Sequence, residues 1–204
     1  MISSALWILA AMAAYGGLHS LLASHGFKRK MEGWLGPRRY QRGYRLLFNL
    51  IAALSFLPVL FLLAQLPDRR LYSLPFPLWI LTGALQLAGA AGMALAVQQT
   101  GAANFLGLEQ WFSPQRAAQP HTMTTGGLYA YVRHPIYTCA LIVLWLTPIL
   151  TVNLLAFNLG ATLYMTLGAA WFEEKKLAAE FGEAYAAYQK RVPMLLPRLG
   201  RRRG

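Results

Sequence analysis

Residues 134–172 read HPIYTCALIVLWLTPILTVNLLAFNLGATLYMTLGAAWF and contain no Asp, Glu, Lys or Arg. At about 1.5 Å of rise per residue, this window is long enough for two crossings of a bilayer core, each of which takes roughly 20 residues. Thr147-Pro148 lies near its middle, where a turn belongs. The window therefore predicts two membrane-spanning helices, at about 136–150 and 153–171.

The rest of the chain shows the same pattern, because three more windows lack charge. They lie at residues 1–27, 46–67 and 71–108. Each predicts one more helix, at about 3–24, 45–66 and 76–97. The 204 residues are 56% hydrophobic and 13% charged, with a mean hydropathy of +0.38, which excludes an ordinary soluble domain. Lipid offers the backbone no hydrogen-bond partners, so we expect an all-α integral membrane bundle of about five transmembrane helices.

The loops predict the orientation of this bundle. The first and third predicted loops and the C-terminal tail, which face one side, carry 17 Lys and Arg residues, and the other side carries two. Cationic loops stay in the cytoplasm, so we expect the N-terminus outside and the C-terminus inside. This bias also explains the net charge of +12 without nucleic acid as a partner.

Composition predicts one domain over residues 1–204, with the first three predicted helices in 1–97. No internal repeat or linker divides the chain. The N-terminus lacks the positive start of a secretory signal, so we expect the first helix to remain. The single cysteine, Cys139, can form neither an internal disulfide nor, alone, a cysteine-based metal site.

Residues able to do chemistry gather at the predicted cytoplasmic side, first around the start of the fourth predicted helix. Pro135 suits a first helical turn, which places Arg133 and His134 at the helix N-terminus, where the dipole favours an anion. Tyr137 follows within one turn. The alternative interpretation makes the charged pair interfacial anchors and Tyr137 a belt aromatic.

A second group of such residues follows the fifth predicted helix. At helical spacing one face carries Glu174, Leu177, Phe181, Tyr185 and Tyr188, which predicts a cytoplasmic amphipathic C-terminal helix. A carboxylate on that apolar face needs a cationic partner, either an arginine or a positively charged ligand. The alternative is simple pairing with neighbouring lysines or solvent.

Together these stretches resemble the isoprenylcysteine carboxyl methyltransferase superfamily over roughly residues 100–197. The motifs that carry the resemblance are Gly127-Leu128-Tyr129, Arg133-His134-Pro135-Ile136-Tyr137, Glu173-Glu174, Phe181-Gly182 and Arg191-Val192-Pro193. Asn104-Phe105-Leu106-Gly107-Leu108, Thr147-Pro148 and the run up to Pro197 look most like the methanethiol S-methyltransferase branch.

The resemblance implies methyl transfer from S-adenosylmethionine, with no metal, in a cofactor-binding and catalytic half at 98–197. The methanethiol S-methyltransferase branch it looks most like is bacterial, which implies a bacterial inner membrane as the location. The ammonium of that cofactor suits Glu173 or Glu174, its carboxylate suits Arg133 or His134, and tyrosine rings can border its adenine. No glycine-rich dinucleotide motif offers another site. The implied cofactor-binding residues are His121, Gly127, Tyr129, Tyr131, His134, Pro135, Glu173 and Glu174. The implied catalytic residues are Arg133, His134, Tyr137 and Glu174, and the implied substrate residues are Asn104 and Arg133.

The resemblance leaves the methyl acceptor open between several small or lipophilic molecules that reach the site from the bilayer. A thiol reacts as its thiolate, for which His134, Tyr137 or a glutamate could act as base. A carboxylate, as in a prenylcysteine, needs a cationic clamp such as Arg133 instead. Methylation of a lipid amine is a further alternative.

Other classes of function have less support in the sequence. His19 and His134 could together ligate a haem, which would make the chain a non-catalytic or structural membrane subunit. A transporter is disfavoured because the predicted helix centres lack ionisable side chains. Aligning the two reactants in a water-poor site is the main requirement of methyl transfer, and it fits a membrane-embedded enzyme.

Overall fold

The computed structural model of the protein describes residues 2–119 and 122–198. Helices dominate it, and the expectation of an all-α membrane protein is confirmed. The helices are α1 (Ile2–Ala23), α2 (His25–Leu35), α3 (Pro37–Gln65), α4 (Phe76–Gln99), α5 (Ala102–Leu106), α6 (Leu108–Phe112), α7 (Pro114–Ala117), α8 (Pro135–Trp145), α9 (Val152–Leu167) and α10 (Glu174–Arg191). A 3₁₀ turn covers Gly127–Ala130, a π-helix covers Gly168–Glu173, and the strands are β1 (Arg70–Ser73) and β2 (Ile149–Thr151).

Four helical runs within the described residues are long and apolar enough to cross a membrane. They are Ile2–Ala23, Pro37–Gln65, Phe76–Gln99 and the run Val152–Arg191, which joins α9, the π-helix and α10. The fourth predicted helix is present as the shorter apolar helix α8, which makes five apolar helical segments in the part of the chain described. Little of the surface of these helices is buried within the protein, as expected for side chains that face lipid.

Helix α8 is shorter than predicted because it ends at Trp145, five residues early. Leu146 leaves the helical conformation, and Pro148 disfavours a helical conformation at the residue before it. The next residues form β2, which pairs with β1 in a two-stranded sheet, and Leu74 N donates to Pro148 O at 2.9 Å. Hydropathy cannot distinguish such a short apolar strand from the end of a helix.

The predicted loops contain helices that hydropathy did not indicate. The first loop contains α2, which the side chain of Ser24 caps by accepting a hydrogen bond from Phe27 N at 3.2 Å. It ends at Gly36, whose φ of 76° favours glycine, and Pro37 starts α3. The third loop contains the short helices α5, α6 and α7.

The chain forms two compact units. The first consists of residues 1–71, 101–121 and 151–160. Ile8, Met12 and Val59 are buried in it, and Gly160 leaves room for Met12. Its α5–α6 turn packs so closely on α3 that a Cβ on Gly107 would lie 2.5 Å from Leu46 N.

The second unit consists of residues 72–100, 122–150 and 161–204. In it α4 packs closely on α8 through glycines, since a Cβ on Gly92 would lie 2.7 Å from Cys139 Sγ. Gln86 on α4 donates a hydrogen bond to Val143 O at 2.8 Å, which satisfies a carbonyl in the last turn of α8. Cys139 is free and serves as a packing residue. A single domain over residues 1–204 stays a prediction.

Candidate active site

The charged motif before α8 lies inside the second unit. His134 is the N-cap residue of α8, with φ −122° and ψ 66°, and Pro135 is the first helical residue. The His134 side chain is 5% exposed and that of Arg133 is 12% exposed. Such burial excludes the interpretation of these two residues as surface anchors.

Helix α10 contains a sharp break at Gly182, where φ is 54° and ψ is −128°. Tyr185 Oη donates to Glu174 Oε1 at 2.9 Å across this break. In a straight helix the two residues would stand about 16 Å apart, given 1.5 Å of rise per residue. The segment after Gly182 therefore folds back on the segment before it, and the predicted amphipathic C-terminal helix is a helical hairpin.

Glu174 accepts hydrogen bonds from four different side chains. Arg133 binds it through two nitrogens, with Nε–Oε1 and Nη2–Oε2 both at 2.9 Å. His134 Nε2 lies 2.6 Å from Oε1, and Gln189 Nε2 donates to Oε2 at 2.5 Å. With the bond from Tyr185, Glu174 has five hydrogen-bond contacts, whereas a carboxylate offers about four lone-pair positions. Its accepting capacity is used within the protein.

The guanidinium of Arg133 is likewise fully hydrogen-bonded within the protein. Besides the bidentate pair with Glu174, its Nη1 donates to the carbonyls of Gln189 at 3.3 Å and Val192 at 2.5 Å. Every nitrogen of the guanidinium thus has an acceptor within the protein. This geometry matches the planar fork that makes arginine suited to buried pairs. Arg133 joins α8, the helical hairpin and the following segment.

Glu173 differs from its neighbour because its side chain is 45% exposed. It ends the π-helix Gly168–Glu173, a form of helix that often occurs at functional sites. Its Oε1 accepts a hydrogen bond from Tyr137 Oη, and its Oε2 lies 3.2 Å from His134 Nδ1. The ring of Tyr137 stacks on His134 with centroids 5.7 Å apart. Glu173 is therefore the accessible carboxylate of the cluster.

His134 lies between the two glutamates, and this position decides its charge. Burial disfavours the protonated ring, but the hydrogen bonds and negative charges of Glu173 and Glu174 outweigh it and raise the pKa of His134 above its usual value. Both ring nitrogens face carboxylate oxygens, at 2.6 Å from Glu174 and 3.2 Å from Glu173, and this geometry favours the imidazolium, which donates from both nitrogens. A ring in that state has no lone pair with which to accept a proton.

The segment Val192–Leu195, which we call the C-terminal strap, fixes the motif from outside. Its four successive carbonyls accept hydrogen bonds from the segment 133–138. The donors are Arg133 Nη1 to Val192 O at 2.5 Å, Arg133 N to Pro193 O at 2.9 Å, His134 N to Met194 O at 3.1 Å and Thr138 Oγ1 to Leu195 O at 2.7 Å. The backbone N–H groups of Arg133 and His134 therefore already have their acceptors in the strap.

The turn Gly127–Ala130 lies in the same unit as this cluster. Gly127 has φ 58°, and the side chain of Gln99 occupies the place of its missing Cβ and accepts from Leu128 N at 3.1 Å. Tyr188 Oη donates to Tyr129 O at 2.5 Å. Burial raises the pKa of Tyr129, so its hydroxyl stays protonated near neutral pH. Tyr131 is exposed.

The remaining candidates lie elsewhere. Asn104 belongs to the first unit, where its Oδ1 accepts from Arg45 Nη1 at 2.8 Å and Gln110 Nε2 at 2.5 Å. His121 lies outside the described residues. His19 also belongs to the first unit, where its ring lies 4.8 Å from that of Phe48. The described residues contain no group of three His, Cys, Asp or Glu that could hold a metal ion.

The structure thus brings Arg133, His134, Tyr137, Glu173 and Glu174 together, as the motifs suggested. Sequence reasoning missed the side chain of Gln189 and the strap carbonyls, and it assigned Tyr185 only to an apolar face. The spacing of Tyr185 and Gln189 was no guide, because both reach Glu174 only through the reversal at Gly182.

Comparison with known proteins places this helical membrane protein in a class of enzymes. A sequence profile described as phospholipid methyltransferase matches residues 83–184. Methanethiol S-methyltransferase 2 of Bradyrhizobium diazoefficiens is 35% identical over 195 residues, which are 94% of this chain and 73% of the relative. Methanethiol S-methyltransferase of Mycobacterium tuberculosis is 31% identical over 192 residues, with 93% and 76% covered.

A more distant relative is the protein-S-isoprenylcysteine O-methyltransferase of Schizosaccharomyces pombe, 32% identical over 124 residues that cover 50% of each chain. No solved structure matches the chain. The chain belongs to the phospholipid methyltransferase family of integral membrane methyltransferases, and the resemblance found in its motifs is confirmed. Two methanethiol S-methyltransferases match it over nearly its full length.

Proposed function

We propose that the protein transfers a methyl group from S-adenosylmethionine to a small thiol. Full-length similarity to two methanethiol S-methyltransferases supports the thiol, whereas the isoprenylcysteine enzyme matches only half of the chain. The state of Arg133 supports the same choice. A carboxylate acceptor needs a cationic clamp, and the guanidinium of Arg133 is bound on every nitrogen.

The single observation that carries the placement of the methyl donor is the contrast between the two adjacent glutamates. Glu174 is saturated and buried, so its role is to hold Arg133 and His134 in place. Glu173 is 45% exposed, and carboxylates accept through several lone pairs. It is therefore the residue that suits the positive charges of S-adenosylmethionine, which supplies an electrophilic methyl group when bound. Tyr137 and His134 orient this carboxylate.

The remaining residues of the proposed site act by position. Gly127, Tyr129 and Pro135 shape the turn and helix start beside the charged cluster, and Tyr131 offers an exposed ring that can border an adenine. His121 and Asn104 remain proposals as cofactor and substrate residues.

The proposed reaction forms a bond between the thiol sulfur and the methyl carbon and breaks the bond from that carbon to the sulfonium sulfur, which leaves as a thioether. The thiol proton goes to water. Both ring nitrogens of His134 face carboxylates and the Tyr137 hydroxyl donates a hydrogen bond to Glu173, so neither side chain is assigned as the base. The rate should then rise with pH as thiolate forms, and most of the acceleration should come from alignment of the two sulfur centres.

We propose the topology that the loop charges predict, with the C-terminus in the cytoplasm of a bacterial cell and the site on that side of the inner membrane. This is the side on which a soluble methyl donor is available. Cysteine accessibility mapping in intact cells tests it: labels in the α2–α3 region should be protected from impermeant reagents, and labels beside Asp68 should react.

Calorimetric titration of S-adenosylmethionine and S-adenosylhomocysteine into detergent-purified protein tests the placement of the methyl donor. In Glu173→Gln we expect affinity to fall roughly 10- to 100-fold, the value of a charge-assisted contact of about 1.5–3 kcal/mol. Glu183→Gln, an exposed glutamate of α10 outside the cluster, is the matched control and should bind normally. Wild-type affinity in Glu173→Gln would contradict the placement, and no binding to folded wild-type protein would contradict the proposed methyl donor.

The acceptor is tested by headspace detection of dimethyl sulfide after addition of methanethiol, with a prenylcysteine analogue in parallel. We expect methylation of the thiol and little of the carboxylate. Preference for the prenylcysteine would reverse the choice of acceptor while leaving the methyl donor in place.

A further inference from the structure

Helix α2 carries an amphipathic surface that lies outside the charged cluster. Its apolar residues Phe27, Met31, Trp34 and Leu35 recur at the spacing of one helical face. Phe27 and Met31 are half-buried in the first unit, whereas Trp34 is 81% exposed and Leu35 is exposed as well. An exposed tryptophan of this kind is typical of the headgroup layer of a membrane.

The charges of α2 are arranged around this apolar face. Lys28 and Lys30 flank it on either side, and Arg29 lies opposite it, as the 3.6-residue period of a helix requires. Long lysine side chains at such edges can lay their stems on apolar surface and reach headgroup phosphates. Amphipathic helices that lie in the membrane interface have this arrangement.

The neighbouring elements hold α2 beside the bilayer. It begins two residues after the membrane helix α1 ends at Ala23, and Tyr44 Oη donates to Leu22 O at 2.5 Å, which aligns the end of α1 with α3. The first turn of α3 adds the exposed cations Arg38 and Arg39. Glu32 is the one acidic residue among the first 67 of the sequence, so the charge of this surface is strongly positive.

We propose that α2 is an interfacial helix that binds anionic phospholipid headgroups, with Trp34 and Leu35 in the headgroup layer and the cations on the lipid phosphates. Positive charge selects anionic over zwitterionic lipid, and each basic residue near such a surface adds roughly a fivefold preference at most. The surface adds an interfacial contact to a unit that α1 and α3 already place in the membrane, and it shares no residue with the proposed methyl-transfer site.

A local fluorescent label tests this assignment. In a Cys139→Ala background, which removes the single cysteine of the sequence, an NBD label is placed either at Leu35→Cys on the apolar face or at Gly33→Cys on the polar face. Gly33 has open space around a Cβ, so the substitution is tolerated. Each protein is reconstituted in phosphatidylcholine vesicles and in vesicles that also contain phosphatidylglycerol.

We expect the label at residue 35, but not at 33, to become brighter and blue-shifted, and more so with phosphatidylglycerol. The difference between the two lipids should vanish at high salt, where the Debye length falls to about 3 Å. Combined substitution of Lys28, Arg29 and Lys30 by Gln should remove most of this lipid difference, whereas the control Arg69→Gln/Arg70→Gln should retain it in full. Circular dichroism and gel-filtration volume check that each variant is folded.

Equal responses in the two lipids would overturn the selection of anionic headgroups. Equal emission from the labels at 33 and 35 would overturn the interfacial placement and direct attention to a protein partner for Trp34. A lipid difference that the triple substitution leaves undiminished would overturn the role of the α2 cations.

Discussion

Replacement of Glu174 by Gln is the most informative perturbation of the buried cluster. The amide keeps the size of the carboxylate but removes its charge and turns one acceptor atom into a donor. That donor then faces Arg133 Nη2 and Gln189 Nε2, or, after a flip of the amide, Arg133 Nε, His134 and Tyr185. Neither orientation satisfies the surrounding donors.

The size of the effect follows from burial. The side chains of Arg133 and Glu174 are 12% and 10% exposed, so solvent cannot replace the lost partner. Removing one member of a buried pair typically lowers the free energy of unfolding by about 3–5 kcal/mol. For a chain of this length each kcal/mol corresponds to roughly 2–4 °C in Tm, so we expect a fall on the order of 6–20 °C.

Thermal unfolding in a fixed detergent, followed by circular dichroism, measures this change. Glu173→Gln is the matched control, because its side chain is 45% exposed and its loss should lower Tm only slightly. The two variants should therefore diverge, with Glu174→Gln losing mainly stability and Glu173→Gln losing mainly affinity for S-adenosylmethionine. A Tm for Glu174→Gln within about 2 °C of wild type would refute the argument that Glu174 is the saturated centre of the site.

Three further outcomes can be checked in the same assay. Because the pKa of His134 is raised in the folded protein, the charged ring stabilises the fold fully below about pH 6.5, and this contribution is lost as pH rises through the raised pKa. The difference in Tm between wild type and His134→Asn should therefore narrow at alkaline pH. A difference in Tm that does not change with pH would contradict the imidazolium. Gly182→Ala should lower the free energy of unfolding by about 1–3 kcal/mol, because Gly182 has a positive φ. The control Gly168→Ala lies at an equally open position without a positive φ and should not show this loss. Equal changes in the free energy of unfolding for the two variants would refute the hairpin. Gly107→Ala should lower the free energy of unfolding by about 1–3 kcal/mol or more, because the added Cβ would clash with the α3 backbone. The control Gly101→Ala has a similar φ and more space, so its effect should be smaller. A larger effect of Gly101→Ala would contradict the packing of Gly107 on α3.

Sequence reasoning anticipated the structure of the charged cluster where the signal was local. The order Arg133-His134-Pro135 predicts a helix start because proline tolerates a first turn, and the structure has that helix start. Glu174 on an apolar face predicts a cationic partner because an unpaired buried charge is costly. The sequence left open whether that partner is an arginine of the protein or a positively charged ligand.

The choice between those partners depended on contacts between residues distant in the chain. Arg133 and Glu174 are 41 residues apart, and the separation of Arg133 from the strap carbonyl of Val192 is 59. Periodicity describes one helix at a time and therefore carries no information about such pairs. Gly182 is a related case, because glycine permits a positive φ without requiring one.

The sequence by itself determined that this is an α-helical membrane protein, because long uncharged segments can satisfy their backbone only as helices in lipid. Its motifs also determined the family, and they singled out the charged residues that the fold brings together. Tertiary structure decided which of the two glutamates is buried and saturated and which is exposed. It did so because the reversal at Gly182 brings Tyr185 and Gln189 to Glu174, while Glu173, at the end of the π-helix, points its carboxylate to Tyr137 and His134 and stays accessible.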